Sequence, residues 1–102
     1  MENNSRDTIN VAQFGVGYWG PNLLRNLISS PRFNVRTVVD LSEARRDFVK
    51  NIYPGVHVDS TPEAVFENPN IDAVVIATPV ATHYDLAIRA VKSGKHVLVE
   101  KP

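Results

Sequence analysis

Three glycines follow the first apolar run of the chain with the spacing G-x-G-x-x-G, at Gly15, Gly17 and Gly20. Glycine at these positions permits a tight bend, a close approach of main chain to a phosphate, and close packing of a strand on a helix. The helix that follows would offer unpaired N–H groups and the positive end of its dipole to an anion. The spacing alone is a weak signal, so the ends of the other strands must decide whether this turn binds a pyrophosphate.

A carboxylate and an arginine follow the second apolar run. Asp40 lies about 20 residues beyond the last of the three glycines, where a carboxylate can accept hydrogen bonds from the ribose of an adenosine. A 2′-phosphate at that place would face a like charge, which favours NAD over NADP. Arg45 leaves NADP open, because it could reach a phosphate or an adenine face, or could be a solvated helix arginine.

Further candidates have two interpretations each. His83 follows Thr78 and Pro79 after the fourth apolar run; it is either close to a nicotinamide ribose or a helix N-terminal histidine with no catalytic role. Tyr18 and Trp19 either pack at the start of a helix or stack on a base. The three histidines lack the spacing of metal ligands and the sequence has no cysteine, so no metal site is predicted.

The elements that must position these residues alternate between strands and helices. The predicted strands are Thr8–Phe14, Asn34–Asp40, Val56–Val58, Ile71–Thr78 and Lys95–Pro102. The first helix has Pro21 in its first turn, and the second begins after Ser42 and carries Ala44, Phe48 and Ile52 on one side. A Thr-Pro pair at Thr61 predicts the start of the third helix, and a capping box from Thr82 to Asp85 predicts the start of the fourth, which Gly94 ends.

This order of elements predicts an α/β fold: a doubly wound parallel sheet of the Rossmann type, with five strands and helices on both faces. Ligands of such sheets lie beyond the carboxyl ends of the strands. The ends of the first, second, fourth and fifth predicted strands carry the candidate residues. We therefore expect one dinucleotide site at that edge.

Size and composition permit a single domain. The 102 residues would form a polar tail at 1–7 and a dinucleotide-binding domain at 8–102. Eleven basic residues balance eleven acidic ones, so charge points to neither nucleic acid nor a membrane as partner. The polar N-terminus and the absence of any long apolar run predict a soluble, cytoplasmic protein.

The same motifs resemble the N-terminal domain of the Gfo/Idh/MocA oxidoreductases. The resemblance covers residues 8–102 and rests on "GVGYWGPNL", on Asp40, on "ATPVATH" and, most specifically, on "VLVEKP". It implies that Lys101 assists proton transfer beside the nicotinamide and the substrate hydroxyl, although without the family Lys101 would be interpreted as a surface residue. It also implies that Glu100 and Pro102 shape the nicotinamide end, and that Thr78, Pro79 and His83 line the cofactor.

The resemblance further implies an activity: hydride transfer between NAD(P) and a hydroxyl or ketone of a sugar or nucleotide sugar. Family members carry a second, α/β domain that supplies most substrate contacts, and the complete enzyme is expected to form a homo-oligomer. The sequence stops at the "EKP" motif, so we expect a truncated chain that is inactive alone. The alternatives are an NAD-binding regulatory or sensor domain without catalysis, which would not need Lys101, and a non-functional remnant.

Overall fold

The structure is a computed structural model that describes residues 8–17 and 19–99. Strands and helices alternate along it, and none of these helices is long and apolar enough to cross a membrane. The elements are β1 (Ile9–Phe14), α1 (Gly20–Ser29), β2 (Phe33–Val39), α2 (Glu43–Ile52), β3 (His57–Asp59), α3 (Glu63–Glu67), β4 (Ala73–Ile76), α4 (His83–Lys92) and β5 (His96–Val99).

The strands of this described part form one parallel sheet in the order β3-β2-β1-β4-β5. The chain runs outward from β1 through β2 to β3 and then returns, so that β4 pairs with β1 on its other side. Strand order therefore reverses between β1 and β4. In an open α/β sheet this is the place where the connections diverge and leave a crevice beyond the carboxyl ends of the two strands.

Apolar side chains fill a core on each face of the sheet. On the face covered by α1 and α2, the buried residues are Val11, Val16, Leu24, Leu27, Val35, Val38, Val49, Ala73 and Val75. On the face covered by α3 and α4, they are Ala12, Phe14, Val39, Val65, Ile71, Val74, Ile76 and Ala90. Side chains alternate along β1 between the two cores, as the pleat of a strand requires. The doubly wound fold with helices on both faces is confirmed.

Pro21 and Gly94 mark helix ends where the sequence predicts them. Pro21 lies in the first turn of α1, where its missing N–H has no intrahelical partner to lose. The other end closes α4: Gly94 has a positive φ of 82°, its N–H donates to Val91 O at 2.9 Å, and Lys95 N–H donates to Ala90 O at 3.0 Å. These are the two bonds of a Schellman cap, so Gly94 ends the helix for the expected reason.

The side of α2 that carries Ala44, Phe48 and Ile52 does not face the core, and Ala44 is exposed. Phe48 and Ile52 are 41% and 51% exposed, whereas Val49 is completely buried. Arg46 lies one helical turn before Val49 on the buried face and is half-buried, with its Nη1 donating to Asp40 O at 2.6 Å. The aliphatic part of an arginine can lie against apolar residues while its charged group bonds elsewhere. Because Arg46 is classed as polar, the apolar pattern of the sequence did not predict which face of α2 packs inward.

Two predicted caps are also wrong. Thr82 makes no capping bond to α4; its hydroxyl donates instead to Pro79 O at 2.7 Å, because residues 80–82 form a short 3-10 turn before the helix. The third helix begins at Glu63, with Pro62 rather than Thr61 at the cap position and no side-chain capping bond. Ser42, by contrast, caps α2 as predicted by accepting from Arg45 N–H at 3.3 Å.

Candidate dinucleotide site

A crevice of about 980 Å³ lies at the carboxyl edge of the sheet. This volume is at the upper end of the range usual for small-molecule sites, which suits a ligand as long as a dinucleotide. The predicted residues that line it are Gly15, Gly17, Trp19, Asp40, Arg45, Thr78, Pro79 and His83. The structure therefore brings these sequence-distant candidates to one place.

The first glycine of the turn has no room for a side chain. Gly15 has a φ of 94°, a conformation that residues with a Cβ seldom adopt. A Cβ there would lie 2.8 Å from Ala77 O, in the segment that leaves β4. The backbone of β1 thus turns directly against the neighbouring strand, and Gly15 N–H donates to Val39 O of the strand on the other side at 2.8 Å. Contacts to both neighbouring strands fix where the turn begins.

The third glycine closes the turn on itself. A Cβ on Gly20 would lie 2.8 Å from Gly15 O and 3.4 Å from Gln13 Nε2. Gly20, the first residue of α1, therefore lies close to Gly15 across the turn and to the side chain of Gln13 in β1. The middle glycine faces a different neighbour, since a Cβ on Gly17 would lie 2.9 Å from Arg45 Nη1. Gly15 and Gly17 line the crevice without a side chain, so a phosphate there could approach the backbone closely.

Asp40 anchors the glycine turn in this structure. It is only 8% exposed, and its Oδ2 accepts from Val16 N–H while its Oδ1 accepts from Ser42 N–H, each at 2.9 Å. A carboxylate has about four acceptor positions, so these two bonds leave capacity for hydroxyl donors from the crevice. The residue predicted to bind a ribose therefore also links the end of β2 to the turn after β1.

The β4–α4 connection presents hydrogen-bond acceptors. Thr82 Oγ1 has one hydrogen, which it donates to Pro79 O, so Thr78 Oγ1 must be the donor across the 2.6 Å that joins the two hydroxyls. Thr78 Oγ1 then keeps lone pairs for a ligand. His83 Nε2 lies 2.6 Å from Thr78 O. A carbonyl only accepts, so Nε2 carries a proton, and Nδ1 is an acceptor whenever the ring is neutral. Both groups suit ligand atoms that donate, such as ribose hydroxyls or a carboxamide.

Four predicted site residues, Tyr18, Glu100, Lys101 and Pro102, lie outside the described residues. Other residues also line the crevice, although the sequence pattern did not identify them. Ser60 and Pro62 bring the end of β3 to the crevice, and Leu41 lines it while 87% exposed. Leu41 and Ser60 follow predicted strands within two residues, and that position was the available signal. Gln13 was missed too, although a polar residue within an apolar strand is conspicuous in "INVAQF".

Comparison with known proteins agrees with this geometry. The family model described as an oxidoreductase family with an NAD-binding Rossmann fold, Gfo/Idh/MocA, matches residues 9–102. The chain belongs to this family. As a Gfo/Idh/MocA member it carries an NAD(P)-binding oxidoreductase domain, and the prediction of NAD with NADP left open is confirmed.

Named relatives of this Gfo/Idh/MocA chain include enzymes of both cofactor types. It is 36% identical over 95 residues to scyllo-inositol 2-dehydrogenase (NAD(+)) and 30% identical over 99 residues to scyllo-inositol 2-dehydrogenase (NADP(+)) IolW, both of Bacillus subtilis (strain 168). These matches cover 92% and 94% of the chain but 28% and 26% of the relatives. The solved structure of GenD2 from gentamicin A biosynthesis in complex with NAD is 33% identical, with a TM-score of 0.86 over 94% of this chain and 27% of that one.

Proposed function

We propose that the protein moves a hydride between a nicotinamide dinucleotide, preferentially NAD, and a hydroxyl or ketone of a sugar or nucleotide sugar. The observation that supports this most is the crevice between the ends of β1 and β4. It has the glycine turn with Asp40 on one side and the acceptor groups of Thr78 and His83 on the other. The name of the inositol dehydrogenase relative supports a polyhydroxylated ring as substrate.

The described residues would hold the two halves of the dinucleotide differently. The glycine turn and the start of α1 would receive the pyrophosphate, because backbone N–H groups and the positive end of the helix dipole favour an anion there. Asp40 would accept the hydroxyls of the adenosine ribose, and Arg45 would lie over the adenine or a phosphate. Thr78, Pro79 and His83 would line the nicotinamide half. Trp19 and Tyr18 would contact the ligand from the turn.

Chemistry would take place beyond the "VLV" segment of β5. The cofactor supplies the position on the nicotinamide ring that takes up or releases the hydride. Lys101 would accept the proton of the substrate hydroxyl as the hydrogen on the same carbon leaves as hydride, and would return a proton in the reverse direction. Glu100 and Pro102 would shape this end of the site. These roles follow from the family resemblance of the "EKP" motif.

Titration with NADH and with NADPH tests the cofactor assignment. Asp40→Ala should raise the Kd for NADH by about 10- to 100-fold, because each lost charge-assisted hydrogen bond contributes about 1.5–3 kcal/mol. It should weaken NADPH binding less, because a like charge near the 2′-phosphate is removed as well. Asp47→Ala is the matched control, since it removes an exposed carboxylate of α2 that does not line the crevice. An unchanged Kd for NADH in Asp40→Ala would remove the ribose assignment.

Steady-state assays of the full-length protein with a panel of sugars, inositols and nucleotide sugars test the reaction. Lys101→Met should abolish turnover while the Kd for NADH stays within about two-fold of wild type, because the lysine acts on the substrate proton. Tight dinucleotide binding without turnover on any member of the panel would instead support the regulatory or sensor domain.

A further inference from the structure

Gln13 is a buried polar side chain that has no place in the proposed chemistry. It is the second-to-last residue of β1, the central strand, and it is completely buried. Its two neighbours along the strand are the apolar core residues Ala12 and Phe14. A buried amide in such a position destabilises the fold unless its polar atoms are bonded, so its bonds indicate why it is there.

Both hydrogens of the amide are used on the glycine turn. Gln13 Nε2 donates to Gly15 O and to Gly20 O, each at 2.9 Å. It therefore bridges the first residue of the turn and the first residue of α1, the two places where the turn begins and ends. The carbonyl oxygens of both glycines are directed at the amide beneath the turn. This orientation keeps two electronegative oxygens away from a phosphate placed above it.

One peptide plane of the turn is held from both sides. The carbonyl of the Gly15–Val16 peptide accepts from Gln13, and the N–H of the same peptide donates to Asp40 Oδ2 at 2.9 Å. Because a trans peptide directs these two groups to opposite sides, the two side chains together fix the rotation of the plane. The turn is thereby preorganised before a ligand arrives, which lowers the entropic cost of binding.

The amide oxygen of Gln13, unlike the amide nitrogen, is unpaired, which also indicates that the residue serves the turn rather than the core. Among the buried side-chain atoms of the described residues, Gln13 Oε1 has no hydrogen-bond partner. An unpartnered buried acceptor is unfavourable, so an aliphatic residue of similar size would suit the core better. Stability of the core does not explain the glutamine, whereas the two bonds to the turn do.

We propose that Gln13 is a positioning residue for dinucleotide binding, holding the glycine turn in the conformation that accepts the pyrophosphate. This inference rests on the proposed function of the crevice. Apparent affinity is reduced by the fraction of molecules in the competent conformation. A variant that keeps the turn competent about one-tenth of the time would bind NADH about ten-fold more weakly.

The test compares Gln13→Met with Val11→Ala in the full chain. Methionine keeps the length of the side chain but cannot donate, so the Kd for NADH should rise about ten-fold. The thermal midpoint should fall as well, because the carbonyls of Gly15 and Gly20 lose their donor. Val11 lies on the same face of β1 and is completely buried, and its side chain has no polar atom that could bond to the turn. Val11→Ala should lower the thermal midpoint and leave the Kd unchanged. A folded Gln13→Met variant whose Kd is within two-fold of wild type would overturn the proposal.

A measurement on the wild type keeps the proposal testable if Gln13→Met does not fold. Coupling between sites is reciprocal, so saturating NADH must stabilise the two amide bonds if these bonds favour NADH binding. Hydrogen exchange of the Gln13 side-chain amide, followed by NMR, should slow about ten-fold on saturation, and exchange that does not change would refute the role. A wild-type protein that binds neither NADH nor NADPH would instead overturn the proposed function, and the role of Gln13 would fall with it.

Discussion

Replacing Gly15 by alanine separates two reasons for a glycine in the turn. Its φ of 94° costs a residue with a Cβ about 1–2 kcal/mol. The new Cβ would also lie 2.8 Å from Ala77 O, and overpacking against backbone that cannot move aside costs about 1–3 kcal/mol. Alanine also reduces the conformational freedom of the unfolded chain, which stabilises the variant by about 0.4–1 kcal/mol and offsets part of these costs. Gly15→Ala should therefore lower the free energy of unfolding by about 2–4 kcal/mol.

Two other glycines of this chain supply matched controls. Gly94 has a φ of 82° with nothing within 4 Å of its Cβ position, so Gly94→Ala should cost only the conformational part, about 1 kcal/mol. Gly55 has the same open space and no positive φ, so Gly55→Ala should be neutral or slightly stabilising. Each replacement adds the same methyl group, and the differences between them isolate the contact with Ala77.

Urea denaturation of the four proteins measures these differences, provided that the slope with denaturant is the same in each. A domain of this size has about 5–15 kcal/mol of stability, so each variant should remain folded enough to compare. Equal losses in Gly15→Ala and Gly94→Ala would refute the reasoning, because they would show that the contact between the turn and the end of β4 relaxes at no cost.

Substitutions at three further residues test contacts elsewhere. Lys95→Met should lower the free energy of unfolding by about 1–3 kcal/mol, because the Lys95 ammonium donates to two carbonyls of the α3–β4 connection at 2.7 and 2.8 Å. Burial lowers the pKa of Lys95 from 10.5, although the negative charge of Asp72 opposes this shift. The unfolded chain therefore binds more protons than the folded protein just below pH 10.5, so wild type should gain stability relative to Lys95→Met as the pH rises into that range. A stability difference that falls with rising pH would contradict this. Thr82→Val should weaken NADH binding a few-fold in titrations, because Thr78 loses the acceptor that orients its hydroxyl, whereas Thr82→Ser should bind as wild type does. Ser42→Ala should cost about 0.5–1 kcal/mol in urea unfolding through the lost α2 cap, and no loss would show that the 3.3 Å bond contributes nothing.

Much of the fold could be predicted from local pattern. Apolar runs and helical spacing identified five strands and four helices, because period-2 and period-3.6 burial follow from backbone geometry. Ser42 and Gly94 were correct since each acts on backbone within a few residues. The errors arose where a side chain had a second possible partner or position that the local pattern does not indicate. Thr82 bonds to Pro79 O rather than to α4, and the half-buried Arg46 lies on the same face of α2 as the buried Val49.

The candidate site was predictable to a similar extent. Residues placed directly after strands were brought to one crevice, since parallel strands end at one edge of the sheet. Gln13 was not identified, because its importance lies in which oxygens its amide reaches. The sequence pattern also did not show that both carboxylate oxygens of Asp40 accept hydrogen bonds from backbone N–H groups.

By itself the sequence determined the alternation of strands and helices, the glycine turn, and the residue types at each strand end. These depend on interactions a few residues long, which propensity and periodicity report directly. Only the tertiary structure decided that β4 lies beside β1, that Gly15 abuts Ala77, and that Asp40 bonds to Val16, 24 residues away. Contacts of this kind depend on sheet order and register, which arise when distant segments bury their apolar faces together.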